Sequence, residues 1–328
     1  MKINYKKAKS MDNKIPLVTI GIPTYNRANS TLSNAISCAC NQDYSNIEII
    51  VSDNCSNDHT KEIVTGFQDE RILYFRQDSN IGPNRNYNFC LEKANGNYFL
   101  LLHDDDLIDS DFVSTCMKEA DYSTKYAFIR TGTRIIDKND NIIQEEPNEV
   151  YTNDPIEMFA AWVSWKTSFY LCSTLFNTKA LKKIGGFKSK NNLFEDGFAI
   201  IKLSNNNPIM NIIDIKSSFR KHVGQRTNYA NVLSWSEDFR IALDMIYLQD
   251  TLNRKEIYQK GMKLFTRVSI HQFARKIKNP IKKAVAIVFV GKYFPYYYWP
   301  NSPDISLKSR FARLAAKLLF NNRKCLLH

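Results

Sequence analysis

The chain has 328 residues, 44% hydrophobic and 12% aromatic, enough to bury a substantial core and too apolar for a disordered protein. Its net charge of +12 sits in the C-terminal part, where residues 241–328 hold 17 Lys/Arg against 4 Asp/Glu. No run reaches the roughly 18–20 apolar residues that span a bilayer. The opening "MKINYKKAKSMDNKIP" lacks the apolar stretch of a secretory signal. The seven cysteines are odd in number and show no paired CxxC spacing, which argues against zinc and a disulfide framework, so a reducing, cytoplasmic setting is expected.

Strand and helix signals alternate over the first 115 residues. "LVTIGIP" reads as a strand stopping at Pro23, and "RANSTLSNAISCACNQ" carries Leu32, Ala35, Ile36 and Ala39 at helical spacing. "IEIIVSD" is a second strand ending at Asp53. Helical "DHTKEIVTGFQ" follows, with Asp58 as its N-cap. "ILYFRQ" reads as a short third strand, "NRNYNFCLEKANG" as a helix ended by Gly96, and "NYFLLLHDDD" as a fourth strand. Such alternation implies a parallel, doubly wound α/β sheet, which binds ligands beyond the carboxyl ends of its strands. Asp53 and the Asp104–Asp106 triplet should therefore meet in one crevice. Between 125 and 235, "AFIRTGTRIID" and "NIIDIKSSFRKH" look like strands, while "DPIEMFAAWVSW" and "EDGFAIIKLS" look helical. From Ser236 onward the pattern is mainly helical and basic. The expected division is a tail over 1–15, an α/β region over 16–235 and a helical basic region over 236–328.

Three consecutive carboxylates after an apolar strand repel one another. They have three readings: a seat for a divalent cation such as Mg²⁺ or Mn²⁺, a general acid or base, or a solvated loop. The preceding "YFLLL" fixes them at a sheet rim, and a bound cation would turn their repulsion into attraction. "GIPTYNR" brings an aromatic plane (Tyr25) and a cation (Arg27) to the same rim, where a capped turn is the plainer reading. Asp53 has two readings as well: acceptor for a base or ribose, or a capping residue. Trp162 and Trp165 stand three apart, a spacing that suits either a face stacking on acceptor sugars or a buried helix face.

Together, "PLVTIGIPTYNR", "NQDYSNIEIIVSDNCSNDHT", "NIGPNRNYNFCLEKANGNYFLLLHDDDLIDSDF" and "FEDGFAIIKL" resemble, in order and spacing, the family 2 glycosyltransferases. The resemblance is strong over about 16–115, weaker over 194–226, and absent after roughly 236. It implies the A-type glycosyltransferase (GT-A-like) fold, with a nucleotide-sugar half over 16–115, an acceptor half over 116–235 and an inverting transfer. Pro23, Thr24, Tyr25, Arg27, Asp53, Arg85 and Asp104 would bind the nucleotide-sugar. Asp105 or Asp106, with His222, would meet a divalent metal. Asp196 of the Glu195–Asp196 pair would be the catalytic base. The chain departs from the family pattern at His103, where many relatives have Asp, and at Asn84, where "NRN" replaces the commoner "ARN". The implied donor is a nucleoside-diphosphate sugar, with uridine the favoured base, and the implied acceptor a glycan or lipid-linked glycan of bacterial surface polysaccharide assembly. A sugar nucleotidyltransferase would need a Gly-rich phosphate loop that "GIPTYNRANS" lacks, and a non-catalytic binding protein would not need the acidic set.

The C-terminal "HQFARKIKNPIKKAVAIVFVGKYFPYYYWP" joins cations, a short apolar run and interfacial aromatics. "SLKSRFARLAAKLLFNNRK" sets Leu307, Phe311, Leu314, Ala315 and Leu318 on one helical face. Both fit peripheral contact with an anionic membrane surface; nucleic acid is the rival acidic partner, but no motif for it occurs.

Overall fold

The computed structural model describes residues 15–222, 231–249, 253–270 and 277–293. β1 (Val18–Thr24), β2 (Ile47–Asp53), β3 (Ile72–Arg76) and β4 (Tyr98–Leu101) form a parallel set in the order β3-β2-β1-β4. In register, Thr24 lies opposite Asp53, and Gly21 opposite Leu101. The crossovers are α1 (Leu32–Cys40), α2 (Thr60–Gly66) and α3 (Pro83–Lys93). α1 buries Leu32, Ala35, Ile36 and Ala39, the four residues its periodicity singles out.

The parallel, doubly wound expectation ends at β4. β8 (Thr174–Asn177) pairs antiparallel with β4 and with β6 (Phe128–Ile136), and β9 (Met210–Arg220) runs parallel to β6. The two-residue β5 (Leu107–Ile108) closes the far edge against β9, and β7 (Ile142–Glu146) pairs β6 as a hairpin. The result is one mixed nine-stranded sheet.

Alternating strand residues feed two cores. Val18, Ile20, Ile22, Tyr98 and Leu100 pack with α1, α2 and α4 (Phe112–Glu119) on one face. Phe99 and Leu101 face the larger core, built with α3, α5 (Pro155–Trp162), α6 (Thr178–Lys183) and α7 (Glu195–Ser204). α8 (Val232–Leu248), α9 (Arg254–Val268) and α10 (Pro280–Tyr293) join that same core. The boundary expected near 235 thus falls inside a helix, and aromatic packing runs across it: Phe194 meets Phe239 at 5.4 Å, and Phe239 stacks on Phe265 at 4.2 Å.

Three local expectations change. Pro23 does not stop β1 but lies inside it, opposite Ser52. Gly96 does not end α3, which finishes at Lys93 with Ala94 extended; a Cβ at Gly96 would sit 2.6 Å from the Thr19 amide nitrogen, so close backbone approach is what needs glycine there. α2 begins at Thr60 with His59 as N-cap. The Asp58 carboxylate accepts from the Thr60 amide (3.1 Å) and the Ala28 amide (3.0 Å), stapling α2 to the loop after β1.

Candidate active site

The loops leaving β1 and β2 turn sharply at Asn26 (φ 54°) and Cys55 (φ 65°). They are tied to each other: the Asn54 amide donates to the Thr24 carbonyl (2.9 Å), and the Asn26 amide to Ser56 Oγ (2.9 Å). Asn54 also holds the segment ahead of α3, donating to Asn80 Oδ1 (2.9 Å) and accepting from the Ile81 amide (2.8 Å). Asn86 and Ser52 bond reciprocally at 2.6 and 2.9 Å, fixing α3 against β2. These ties frame a cleft of about 370 Å³ lined by Pro23, Thr24, Tyr25, Arg27, Asn54, Asn80, Pro83, Asn86, Tyr87, His103, Asp104, Asp105, Phe219 and His222.

β4 stops at Leu101, so the three aspartates occupy the turn into β5. Cations and imidazoles offset their repulsion. His222 Nε2 lies 2.8 Å from Asp105 Oδ2, and Arg27 approaches Asp104 and Asp105 at 3.9 Å each. Burial, with the Asp105 charge beside it, pushes the Asp104 carboxyl up to about 6, against the pull of the Thr24 hydroxyl and Arg27. Asp106 is only 1% exposed. Its Oδ1 accepts from the Arg220 amide (2.9 Å), and its Oδ2 faces His103 Nδ1 at 3.4 Å. Burial raises the Asp106 carboxyl above its ordinary value. Burial alone would lower His103, but the neighbouring Asp106, Asp105 and Asp104 together raise it. Buried Arg220 donates Nε to the Asp105 carbonyl (2.7 Å) and a terminal nitrogen to the Asp137 carbonyl (2.9 Å), and pairs with Asp140 at 2.5 Å. The strand end carrying His222 is thereby clamped to the acidic turn.

His103, Asp105 and Asp106 offer ligand atoms within 4.8 Å of one another, and His103 Nε2 is buried with no hydrogen-bond partner among the described residues. Mixed imidazole and carboxylate donors suit a cation such as Mn²⁺, so the residues present fit a divalent metal.

Other expected residues stand elsewhere. Tyr25 is 44% exposed on the cleft rim. Asp53 lies behind the cleft, accepting from the Ser56 amide (2.8 Å) and the Tyr74 hydroxyl (2.6 Å); its neighbour Asn54 lines the cleft. Arg85 is exposed and is not among the lining residues. Helical spacing puts Pro83, Asn86 and Tyr87 on the cleft side of α3 and leaves Arg85 on another. Glu195 and Asp196 open α7 but do not border the cleft. Buried Glu195 accepts from Asn84 Nδ2 (3.2 Å), next to the cleft-lining Pro83, and half-buried Asp196 accepts from the Gly197 amide (2.7 Å). Trp162 is no acceptor surface: it is buried and stacks on Phe169 (4.8 Å) and Phe194 (5.5 Å). α5 ends at Trp162, so the two tryptophans share no helix face, and Trp165 is 65% exposed. Sequence reasoning missed Asn54, Asn80, Pro83, Asn86, Tyr87, His103 and Phe219 as lining residues. The repeated asparagines just past strand ends, in "SDNCSND" and "DSNIGPNRN", were the available signal.

The parallel first half, the antiparallel continuation and the acidic turn at the join define a GT-A-like α/β fold. S. aureus TarS 1–349, solved with UDP-GlcNAc, shares it with a TM-score of 0.66 at 18% identity, over 86% of this chain and 82% of that one. The mannosyltransferase PcManGT of Pyrobaculum calidifontis, in complex with GDP-Man and Mn²⁺, matches with a TM-score of 0.54 at 15% identity, over 94% and 83%. Residues 19–185 match the model for glycosyl transferase family 2, and the chain belongs to that family. It is 39% identical over 134 residues to the GalNAc(5)-diNAcBac-PP-undecaprenol beta-1,3-glucosyltransferase of Campylobacter jejuni, a stretch covering 40% of this chain and 42% of the relative. It is 27% identical over 272 residues to an uncharacterized glycosyltransferase of Rickettsia typhi, covering 82% and 80%. Among the described residues no helix is long and apolar enough to cross a membrane.

Proposed function

We propose that the chain is a divalent-metal-dependent, inverting glycosyltransferase that moves a sugar from a nucleoside diphosphate, uridine favoured, to a hydroxyl of a glycan or lipid-linked acceptor in bacterial surface polysaccharide assembly. One observation carries the reading: His222, two residues past β9, meets Asp105 at 2.8 Å in a cleft that Thr24, Tyr25 and Arg27 also line. A diphosphate needs cations and a base needs a flat contact; Arg27 and Tyr25 supply them at one rim. The Campylobacter relative is a glucosyltransferase whose name specifies a lipid-diphosphate acceptor, and TarS was solved with UDP-GlcNAc.

Asp105 with His222, and His103 or Asp106 behind them, would hold the cation, which when bound neutralises charge on the departing diphosphate. Asp196 takes the proton of the acceptor hydroxyl as that oxygen bonds to the anomeric carbon. The bond from that carbon to the diphosphate breaks, and its electron pair leaves with the nucleotide. Glu195, bonded to Asn84, sets the start of α7 and hence the place of Asp196. The basic C-terminal region would bring this chemistry to an anionic cytoplasmic membrane face; residues 271–276 and 294–328, which include the expected amphipathic helix around Leu307–Leu318, lie outside the described residues.

A thermal-shift panel of nucleoside diphosphates with and without Mn²⁺ tests the reading. A rise in Tm with UDP that depends on Mn²⁺ supports it, and no response to any nucleotide with metal removes it. Release of pyrophosphate instead of a nucleoside diphosphate would establish a nucleotidyltransferase.

A further inference from the structure

α5 ends in an unusual way. The Lys166 amide donates to the Ala161 carbonyl (2.9 Å) and the Trp165 amide to the Trp162 carbonyl (3.2 Å), the paired bonds that close a helix through a left-handed residue. Glycine normally takes that left-handed place, because a Cβ there costs about 1–2 kcal/mol. Here it is Trp165, with φ 62° and an indole 65% exposed. A bulky aromatic at this position is disfavoured by the backbone, and most of its surface is left to water.

Trp165 borders a second cleft, of about 360 Å³, with Glu145, Glu146 and Glu149 on its walls and Thr167 inside. The floor is rigid. Fully buried Arg130 donates to Thr167 Oγ1 (2.6 Å) and to Asn148 Oδ1 (3.2 Å), and Thr167 also donates to Asn148 Oδ1 (2.7 Å). An exposed indole plane beside several hydrogen-bond acceptors is the chemistry that recognises a sugar ring: the apolar C–H face stacks and the hydroxyls donate. Three carboxylates against one Lys166 favour neutral or amino sugars over acidic ones.

The sheet connects this cleft to the first. Glu146 pairs with Thr133, and Thr133 with Ser217, three residues before Arg220. Two steps of about 4.8 Å between strands and about 10 Å along β9 thus separate Glu146 from the residue that clamps the acidic turn. We infer that the Trp165 cleft is a glycan subsite that holds a neutral or amino sugar of the acceptor at a distance from the reacting hydroxyl. The inference rests on the glycosyltransferase reading for its purpose but not for its test.

The test uses the full chain and Trp165→Gly, the residue the backbone prefers at this place. Saturation-transfer NMR with chitotetraose, glucosamine tetramer and tetragalacturonate is expected to show binding of at least one of the first two, about tenfold weaker in the variant, and none of the third. The variant should melt at the same or a higher temperature and keep its response to UDP and Mn²⁺. Equal binding by both proteins, preference for tetragalacturonate, no binding of any sugar, or a lower Tm in Trp165→Gly overturns the subsite. Loss of the nucleotide response in the wild-type protein as well would count against the glycosyltransferase reading alone.

Discussion

Asp105 and His222 are 117 residues apart in sequence, yet their side chains lie 2.8 Å apart, drawn together because Arg220 grips the Asp105 carbonyl two residues before His222. A metal held between them depends on that grip. Asp105→Ala and His222→Ala should each weaken Mn²⁺-dependent UDP binding by about a hundredfold, read as loss of the Mn²⁺-dependent Tm shift. Retention of the shift in Asp105→Ala would move the metal to other residues.

Asp196 answers to a different measurement. Asp196→Asn keeps the hydrogen bond to the Gly197 amide but cannot take a proton. Transfer should fall by about 10²- to 10⁴-fold while UDP and Mn²⁺ bind as before. A variant that still transfers at the wild-type rate places the base elsewhere.

Gly96 offers a stability test remote from chemistry. A Cβ there would meet the Thr19 amide at 2.6 Å and the Tyr98 carbonyl at 2.7 Å, both backbone atoms that cannot swing aside. Gly96→Ala should cost about 1–3 kcal/mol in urea unfolding, with an unchanged m-value.

Acid stability should register Asp69. Arg71 bonds it through Nε (3.0 Å) and a terminal nitrogen (2.7 Å), and this pairing holds the Asp69 carboxyl well below the usual carboxylate range. A lowered folded pKa means the contribution is complete above the unfolded value near 3.9 and is lost as pH falls toward the folded one. Arg71 is partly exposed, so solvent screening limits the pair to roughly 1 kcal/mol. The stability gap between wild type and Asp69→Asn should be flat above about pH 5 and shrink below pH 4. A gap that grows on acidification contradicts the assignment.

The first half of the fold was legible because its signals are local. β1 to β4 are apolar runs with turn residues behind them, and α1 shows its buried stripe in Leu32, Ala35, Ile36 and Ala39. The second half was not, because β8 joins β4 by pairing Tyr98 with Asn177, a choice no periodicity records. The place of the acidic turn at the end of β4 was legible but its geometry was not: nothing local tells that Asp106 turns inward to Arg220 while Asp105 meets His222. Arg85 was misplaced because a motif position does not reveal which side of α3 faces the cleft. The two tryptophans were inseparable until the helix was seen to end between them, without the glycine that would have marked the spot.

Phe194, the residue just ahead of Glu195 and Asp196, sits between Trp162 on one side and Phe239 of α8 on the other. The helices past residue 231 are therefore a foundation for the carboxylate that opens α7, not an appendage hung behind it. Cutting the chain back to residue 222 would keep α7 but strip one wall from that aromatic socket, so the start of α7 would drift and transfer would be lost before the grip on nucleotide.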